Sequence, residues 1–141
     1  MKVLVIGASG STGRLIVESA LAAGHSVTAF VREPRRLPLL HSNLRIVQGD
    51  AMNPASTASA VHGADAVICA LGTMPEGKDE RSRRQPGIPV CSVGIRNILA
   101  ALPRNGSRLV VVSAASVGDS YRAGMFGAGF IVRLALRQVM A

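Results

Sequence analysis

Three glycines, Gly7, Gly10 and Gly13, with Ser11 and Thr12 between the last two, stand between a pure β-type run (Val3 to Ile6) and an amphipathic stretch that ends at Gly24. Residue types at this spacing suit the binding of a phosphate. Glycine allows positive φ in a tight turn and leaves no side chain between backbone and ligand. The first N–H groups of the following helix, from Ser11 onward, have no partner inside the helix, and the helix dipole there favours an anion. The alternative is an ordinary strand–turn–helix with glycines for packing. The position directly after a β-type run, opening a helix, favours a nucleotide-binding turn.

A second group follows the next β-type run: Arg32, Arg35 and Arg36, with Glu33 among them. An acidic side chain at this point holds a ribose 2′-hydroxyl, whereas arginine accommodates a 2′-phosphate through its planar donor fork. The sequence therefore predicts NADP(H) in preference to NAD(H). Glu33 is the dissenting residue, and Arg36 reads as solvated surface. Arg14, just inside the first helix, is open between a phosphate contact and a surface charge. Asp50, with Ala51 and Met52, is placed either to border a base or to serve as a turn or cap residue before Pro54. Ala70-Leu71-Gly72-Thr73 ends a later apolar run. Gly72 there allows close approach and Thr73 offers a hydroxyl, unless the segment is only a strand-ending turn.

Catalytic groups are sparse. There are two lysines, Lys2 and Lys78, and one tyrosine, Tyr121, with Met125 four residues on. The Tyr-x-x-x-Lys pair that lowers a tyrosine's pKa is therefore absent. Ser113 and Ser116 follow the last apolar run and are placed either to donate a hydrogen bond to a substrate carbonyl or to serve as strand-end hydroxyls. Hydride transfer asks mainly for alignment of nicotinamide and acceptor, so a reductase is compatible with this poverty.

The elements that must position these groups alternate between strand and helix. The patterning predicts strands at 2–6, 25–31, 44–48, 65–71 and 108–113, helices at 12–23, 54–62 and 90–102, and a basic turn with a short helix at 32–40. The helix at 90–102 has an apolar face at Val93, Ile98 and Ala101, interrupted by Asn97. Residues 73–89 read as a long polar loop. Strands one, four and five are almost continuously apolar, the pattern of parallel strands covered on both faces. Right-handed crossovers give an α/β fold with a doubly wound parallel sheet ordered 3-2-1-4-5. Ligands bind beyond the carboxyl ends of such strands, where 7–14, 32–36, 49–52, 70–73 and 113–119 converge.

Strand five resembles an interior strand, yet nothing after it reads as a sixth. Tyr121–Ala141 reads as a glycine-interrupted amphipathic helix, suited to a membrane surface or, as preferred, to packing on further chain. The expectation is one domain over 1–141, the N-terminal portion of a longer one, with its C-terminal strands missing and a helical region at 120–141.

With 141 residues the chain is long enough for one core. Apolar content is 48%, but no run reaches the ~18–20 residues of a membrane span. Cys69 and Cys91 form no CxxC and read as reduced, packed thiols of a cytoplasmic protein. His25, His41 and His62 show no ligand spacing, so no metal is expected. The net charge of +8 suits nucleic acid, but aromatics at 3% supply no stacking platforms, so nucleic acid is not expected as a partner.

In order and spacing, GASGSTG, VREPRRL, VQGDA, CALGT, GIRNILAAL and VVVSAASVGDS resemble the atypical short-chain dehydrogenase/reductases. The nearest resemblance is to the NAD(P)H-binding group that includes flavin reductases of the biliverdin reductase B type and NmrA-like proteins. The resemblance covers essentially the whole chain and implies a Rossmann fold of the NADP type. It implies that Gly7, Gly10, Ser11, Thr12 and Gly13 line the pyrophosphate and that Arg32 and Arg35 face the adenosine phosphate. It further implies that Asp50 and Ala51 flank the adenine and that Leu71, Gly72 and Thr73 lie by the ribose and nicotinamide. Flavin-reductase-like members carry a serine just after strand five. In the segment Ser113-Ala114-Ala115-Ser116, that position falls on Ser113 or on Ala114, and Ser113 is the candidate. The resemblance implies an oxidoreductase passing hydride to a small carbonyl, quinone or flavin-like acceptor, or a non-catalytic NADP-sensing module acting on a protein partner.

Overall fold

The computed structural model describes residues 1–72, 90–103 and 107–113. Its strands are β1 (Lys2–Ile6), β2 (Ser26–Val31), β3 (Leu44–Gln48), β4 (Ala66–Cys69) and β5 (Arg108–Val111). Its α-helices are α1 (Ser11–Ala22), α2 (Pro54–Val61) and α3 (Val90–Ala101), and a single 3-10 turn spans Pro34–Arg36. The strands form one parallel sheet in the order β3-β2-β1-β4-β5, the doubly wound arrangement expected from the alternation of elements. Each β-to-β connection between neighbours moves one step outward from β1, and the return from β3 to β4 passes through α2 to the other face.

Side-chain alternation along the strands splits the core into two layers. Val3 and Val5 of β1, with Val27, Ala29 and Val31 of β2, pack on Ile16, Val17 and Ala20 of α1. Leu4 and Ile6 point the other way, joining Phe30, Val67 and Cys69 against Val61 of α2 and Ile98 of α3. All four β4 residues are buried, as a strand covered on both faces should be. β5 departs from the expected pattern. Leu109 and Val110 are only half-buried and Val111 is 41% exposed, because among the described residues β5 is an edge strand with β4 as its single neighbour.

Helix ends follow local chemistry. Asn53 caps α2, its Oδ1 accepting the Ser56 N–H at 3.0 Å, and Pro54 follows at the first helical position. Asp50 is thus the turn residue of its segment and Asn53 the cap. Its Oδ1 accepts the Met52 N–H at 2.9 Å. Boundaries differ from expectation by a residue or two: His25 belongs to the α1 stop, its N–H bonded to Ala20 O, and Leu71 lies beyond β4.

At the amino edge of the sheet, Asp65 ties several strands. Asp65 Oδ2 accepts the Lys2 backbone N–H at 2.7 Å, the Asp65 N–H donates to Lys2 O at 2.9 Å, and Asp65 O accepts the Arg108 N–H at 3.1 Å. Three strands are joined there. No helix among the described residues is long and apolar enough to cross a membrane. The helix expected at 120–141 and the polar loop at 73–89 lie outside the described residues.

Candidate functional site

In a parallel sheet all carboxyl ends share one edge. Ile6 pairs with Phe30 and with Cys69, Val31 with Gln48, and Cys69 with Val111. The segments after each strand therefore meet along that edge.

The central one, at residues 7–13, is built from backbone. Gly7 has φ +80°, and a Cβ there would stand 2.7 Å from Ala70 O. Gly13 allows the first turn of α1 to sit on the loop itself: a Cβ would stand 2.1 Å from Gly7 O. Neither position admits a side chain without moving backbone. The loop is closed by Gly10 N–H to Gly7 O at 3.1 Å, and Arg14 N–H to Gly10 O at 2.9 Å begins the helix. Gly10 at the N-cap brings no side-chain cap, and the first turn of α1 holds no acidic residue. Ser11 and Thr12 are exposed, so the helix presents its free N–H groups and two hydroxyls to the edge. Gly7 and Gly13 thus let strand, turn and helix close on one another, and the uncapped helix start that results, with no acidic residue in its first turn, suits a pyrophosphate.

Beside it, Arg32 and Arg35 are exposed and make no ion pair among the described residues. Arg32 follows β2 directly, and its carbonyl accepts from Gln48 Nε2 at 3.2 Å, which ties the ends of β2 and β3. Arg14 pairs with Glu18 one turn on at 3.0 Å, both half-exposed.

The far wall comes from the segments after β3 and β4. Asp50 is exposed, and Ala51 is buried at 5% with its side chain in the core layer of α2 and α3. The Ala51 carbonyl accepts from Asn97 Nδ2 at 2.9 Å and from Thr57 Oγ1 at 3.2 Å. Leu71 is half-buried and accepts from Cys91 Sγ at 3.4 Å. Gly72 is exposed, with open space where a Cβ would stand. Thr73 lies outside the described residues, as do Ser116, Tyr121, Met125 and Lys78. Ser113 is exposed two residues past the end of β5.

Burial holds the Cys69 thiol above the usual thiol range, with the Leu71 backbone hydrogen bond opposing the shift and Cys91 adding to it. Among the described residues no three His, Cys, Asp or Glu side chains gather to hold a metal.

Sequence reasoning placed the turn, the arginines and the two far loops on one edge, and the structure brings them there. It missed Asn97 and Thr57, which hold one of those loops from behind. The available signal was Asn97 itself, an amide in the middle of an otherwise apolar helix face.

A family model described as NAD(P)H-binding matches residues 7–138. An isoflavone reductase homolog from Zea mays is 39% identical over 82 residues, covering 52% of this chain and 26% of that protein. The photosystem II assembly factor Ycf39 of Synechocystis is 39% identical over 69 residues, covering 48% of this chain and 21% of that protein. Among solved structures, a putative NADH-flavin reductase from Streptococcus pneumoniae superposes with a TM-score of 0.61 at 32% identity, covering 82% of this chain and 48% of that one. The chain thus spans about a quarter of the length of the curated relatives it matches and half of the solved one.

Proposed function

The chain belongs to the NAD(P)H-binding family, and from that premise we propose that it binds NADP(H) along the carboxyl edge of its sheet and serves reduction of a small carbonyl, quinone or flavin-like acceptor. The observation that carries this reading is the uncapped start of α1, with no acidic residue in its first turn and with Gly10, Ser11 and Thr12 exposed, beside two arginines that make no ion pair among the described residues. In it, Gly7, Gly10, Ser11, Thr12 and Gly13 receive the pyrophosphate through backbone N–H groups and hydroxyls. Arg32 and Arg35 face the 2′-phosphate, and neither fork is taken by an ion pair among the described residues. The 50–51 segment borders the adenine. Ala51 contributes backbone there, since its side chain is in the core. Leu71, Gly72 and Thr73 border the ribose and nicotinamide, where the open space at Gly72 leaves room.

When bound, the nicotinamide supplies the hydride. The part left to this chain is binding, orientation and exclusion of water. Ser113, exposed at the end of β5, is the group placed to hydrogen-bond an acceptor oxygen. Residues 1–141 act in this reading as one dinucleotide-binding unit of a cytoplasmic protein, with the two free thiols reduced. The isoflavone reductase homolog and the solved structure described as a putative NADH-flavin reductase support the reductive chemistry.

A second reading, an NADP-sensing module that acts on a protein partner, is favoured by two observations. Ser113 has no base beside it among the described residues, and one relative is named as an assembly factor. Titration of the protein with NADPH and NADH, followed by flavin, quinone and carbonyl reduction assays, separates them. Turnover supports the reductase. Tight NADPH binding with no turnover across acceptors supports the sensor. No binding of either nucleotide sinks both.

A further inference from the structure

The Ala51 carbonyl is the meeting point of three elements. It belongs to the segment after β3, and it accepts hydrogen bonds from Thr57 on α2 and Asn97 on α3. The two donors are not equivalent. Thr57 is fully buried and its hydroxyl carries a single proton, yet it lies within reach of two carbonyls, Ala51 O at 3.2 Å and Asn53 O at 3.0 Å. The closer of these is Asn53 O, the ordinary back-bond of a threonine in a helix. Asn97 Nδ2 at 2.9 Å is therefore the donor on which Ala51 depends, across 46 residues of sequence.

The turn that Asn97 holds is closed on itself and joined to β2 at its start, where the Gly49 N–H donates to Val31 O at 2.9 Å. Asp50 accepts the Met52 N–H, and Asn53 N–H donates to Asp50 O at 3.0 Å. Those bonds fix the shape of the turn but not its place on the sheet edge. Beyond Gly49, place comes from the buried Ala51 side chain and from Asn97. The same face of α3 presents Cys91 and Gly94 at intervals of one turn. Cys91 Sγ donates to Leu71 O, and Gly94 is so close to the loops that a Cβ would stand 2.5 Å from Leu71 Cδ1 and 3.5 Å from Ala51 Cβ. One helix face thus abuts both far loops, and Asn97 supplies its bond to the segment after β3.

We infer that Asn97 is a positioning residue for the adenosine half of the dinucleotide site, acting through the Ala51 carbonyl. This rests on the reading of the edge as a dinucleotide site. The test uses the full chain, unaltered and as Asn97→Ala and Asn97→Asp, titrated with NADPH and separately with adenosine 2′,5′-bisphosphate. Asp keeps the size of Asn but replaces the amide donor with an acceptor. Both variants are expected to remain folded by circular dichroism and to bind the adenosine fragment about five- to tenfold more weakly, the scale of one lost hydrogen bond. NADPH should weaken by the same factor, because the nicotinamide half is untouched. Unchanged affinity for the fragment, a larger loss for NADPH than for the fragment, or two unfolded variants would each overturn the inference and make Asn97 a residue of the fold alone. If the unaltered chain binds neither ligand, the dinucleotide reading fails, and this inference with it.

Discussion

The turn at residues 7–13 and the two loops at 49–51 and 71–72 share one edge of the sheet but are held in opposite ways. The turn is self-supporting. Its shape comes from φ +80° at Gly7, from Gly10 N–H to Gly7 O, and from Gly13 lying against Gly7. The loops are supported from outside, by Asn97 and Cys91 reaching in from the helix behind them. A self-supporting segment fails when anything is added to it, because there is no room. An externally supported one loosens when something is taken away, because part of its hold lies in other elements.

The largest effect should therefore come from adding bulk to the turn. Gly13→Val puts a side chain where a Cβ alone would be 2.1 Å from Gly7 O. It is expected to lower stability by about 1–3 kcal/mol, by overpacking against a backbone that cannot yield, as read by urea unfolding. NADPH affinity should fall at least tenfold for roughly each phosphate hydrogen bond displaced, as read by titration. If Gly13→Val binds NADPH normally, the turn does not hold the pyrophosphate. Arg32→Glu comes next and probes the rim between the two regions. It should weaken NADPH by about ten- to a hundredfold, the worth of one charge-assisted contact, and leave NADH nearly unchanged. Equal losses for both nucleotides would show that Arg32 does not read a 2′-phosphate. The subtraction at Asn97 follows, with its smaller five- to tenfold effect (about one hydrogen bond) on the adenosine half. Asn53→Ala removes the α2 cap and should cost about 1 kcal/mol of stability in urea, a test of how much the second region owes to helix ends.

The smallest effect concerns Cys69. Burial favours its neutral thiol, so the folded chain holds that proton more firmly than the unfolded chain. Stability is then flat below the ordinary thiol range and falls as pH rises through it toward the raised folded value. Cys69→Ala should remove that alkaline decline in denaturation curves recorded at stepped pH. Labelling with iodoacetamide, read by mass spectrometry, should modify half-buried Cys91 first and Cys69 only on unfolding.

The same contrast explains what could be read from the chain before its structure. The turn was legible because its support is local: three glycines within seven residues and a β-type run beside them state the geometry outright. Strand order was legible because alternation of elements and right-handed crossovers leave few choices, and β1 and β3 fall on the residues expected. The hold on the far loops was not legible. Asn97 and Ala51 are 46 residues apart, and no local period records their meeting. Ala51 looked like a residue facing a ligand, whereas its side chain is in the core and only its backbone remains for the edge. β5 looked like an interior strand because its residues are apolar, but among the described residues it has one neighbour and is half-buried.

Asp65 gives this arrangement a further consequence. By joining β1, β4 and β5 at their amino ends, it acts as the stitched hem of a fabric whose opposite border is left as loops. Outside the glycine turn and the contacts that hold the loops, the exposed residues of that border can change while the hem keeps the weave aligned. A fold sewn in this way separates what must stay constant from what is free to diversify, so a change of ligand preference along the loops does not require a new sheet beneath them.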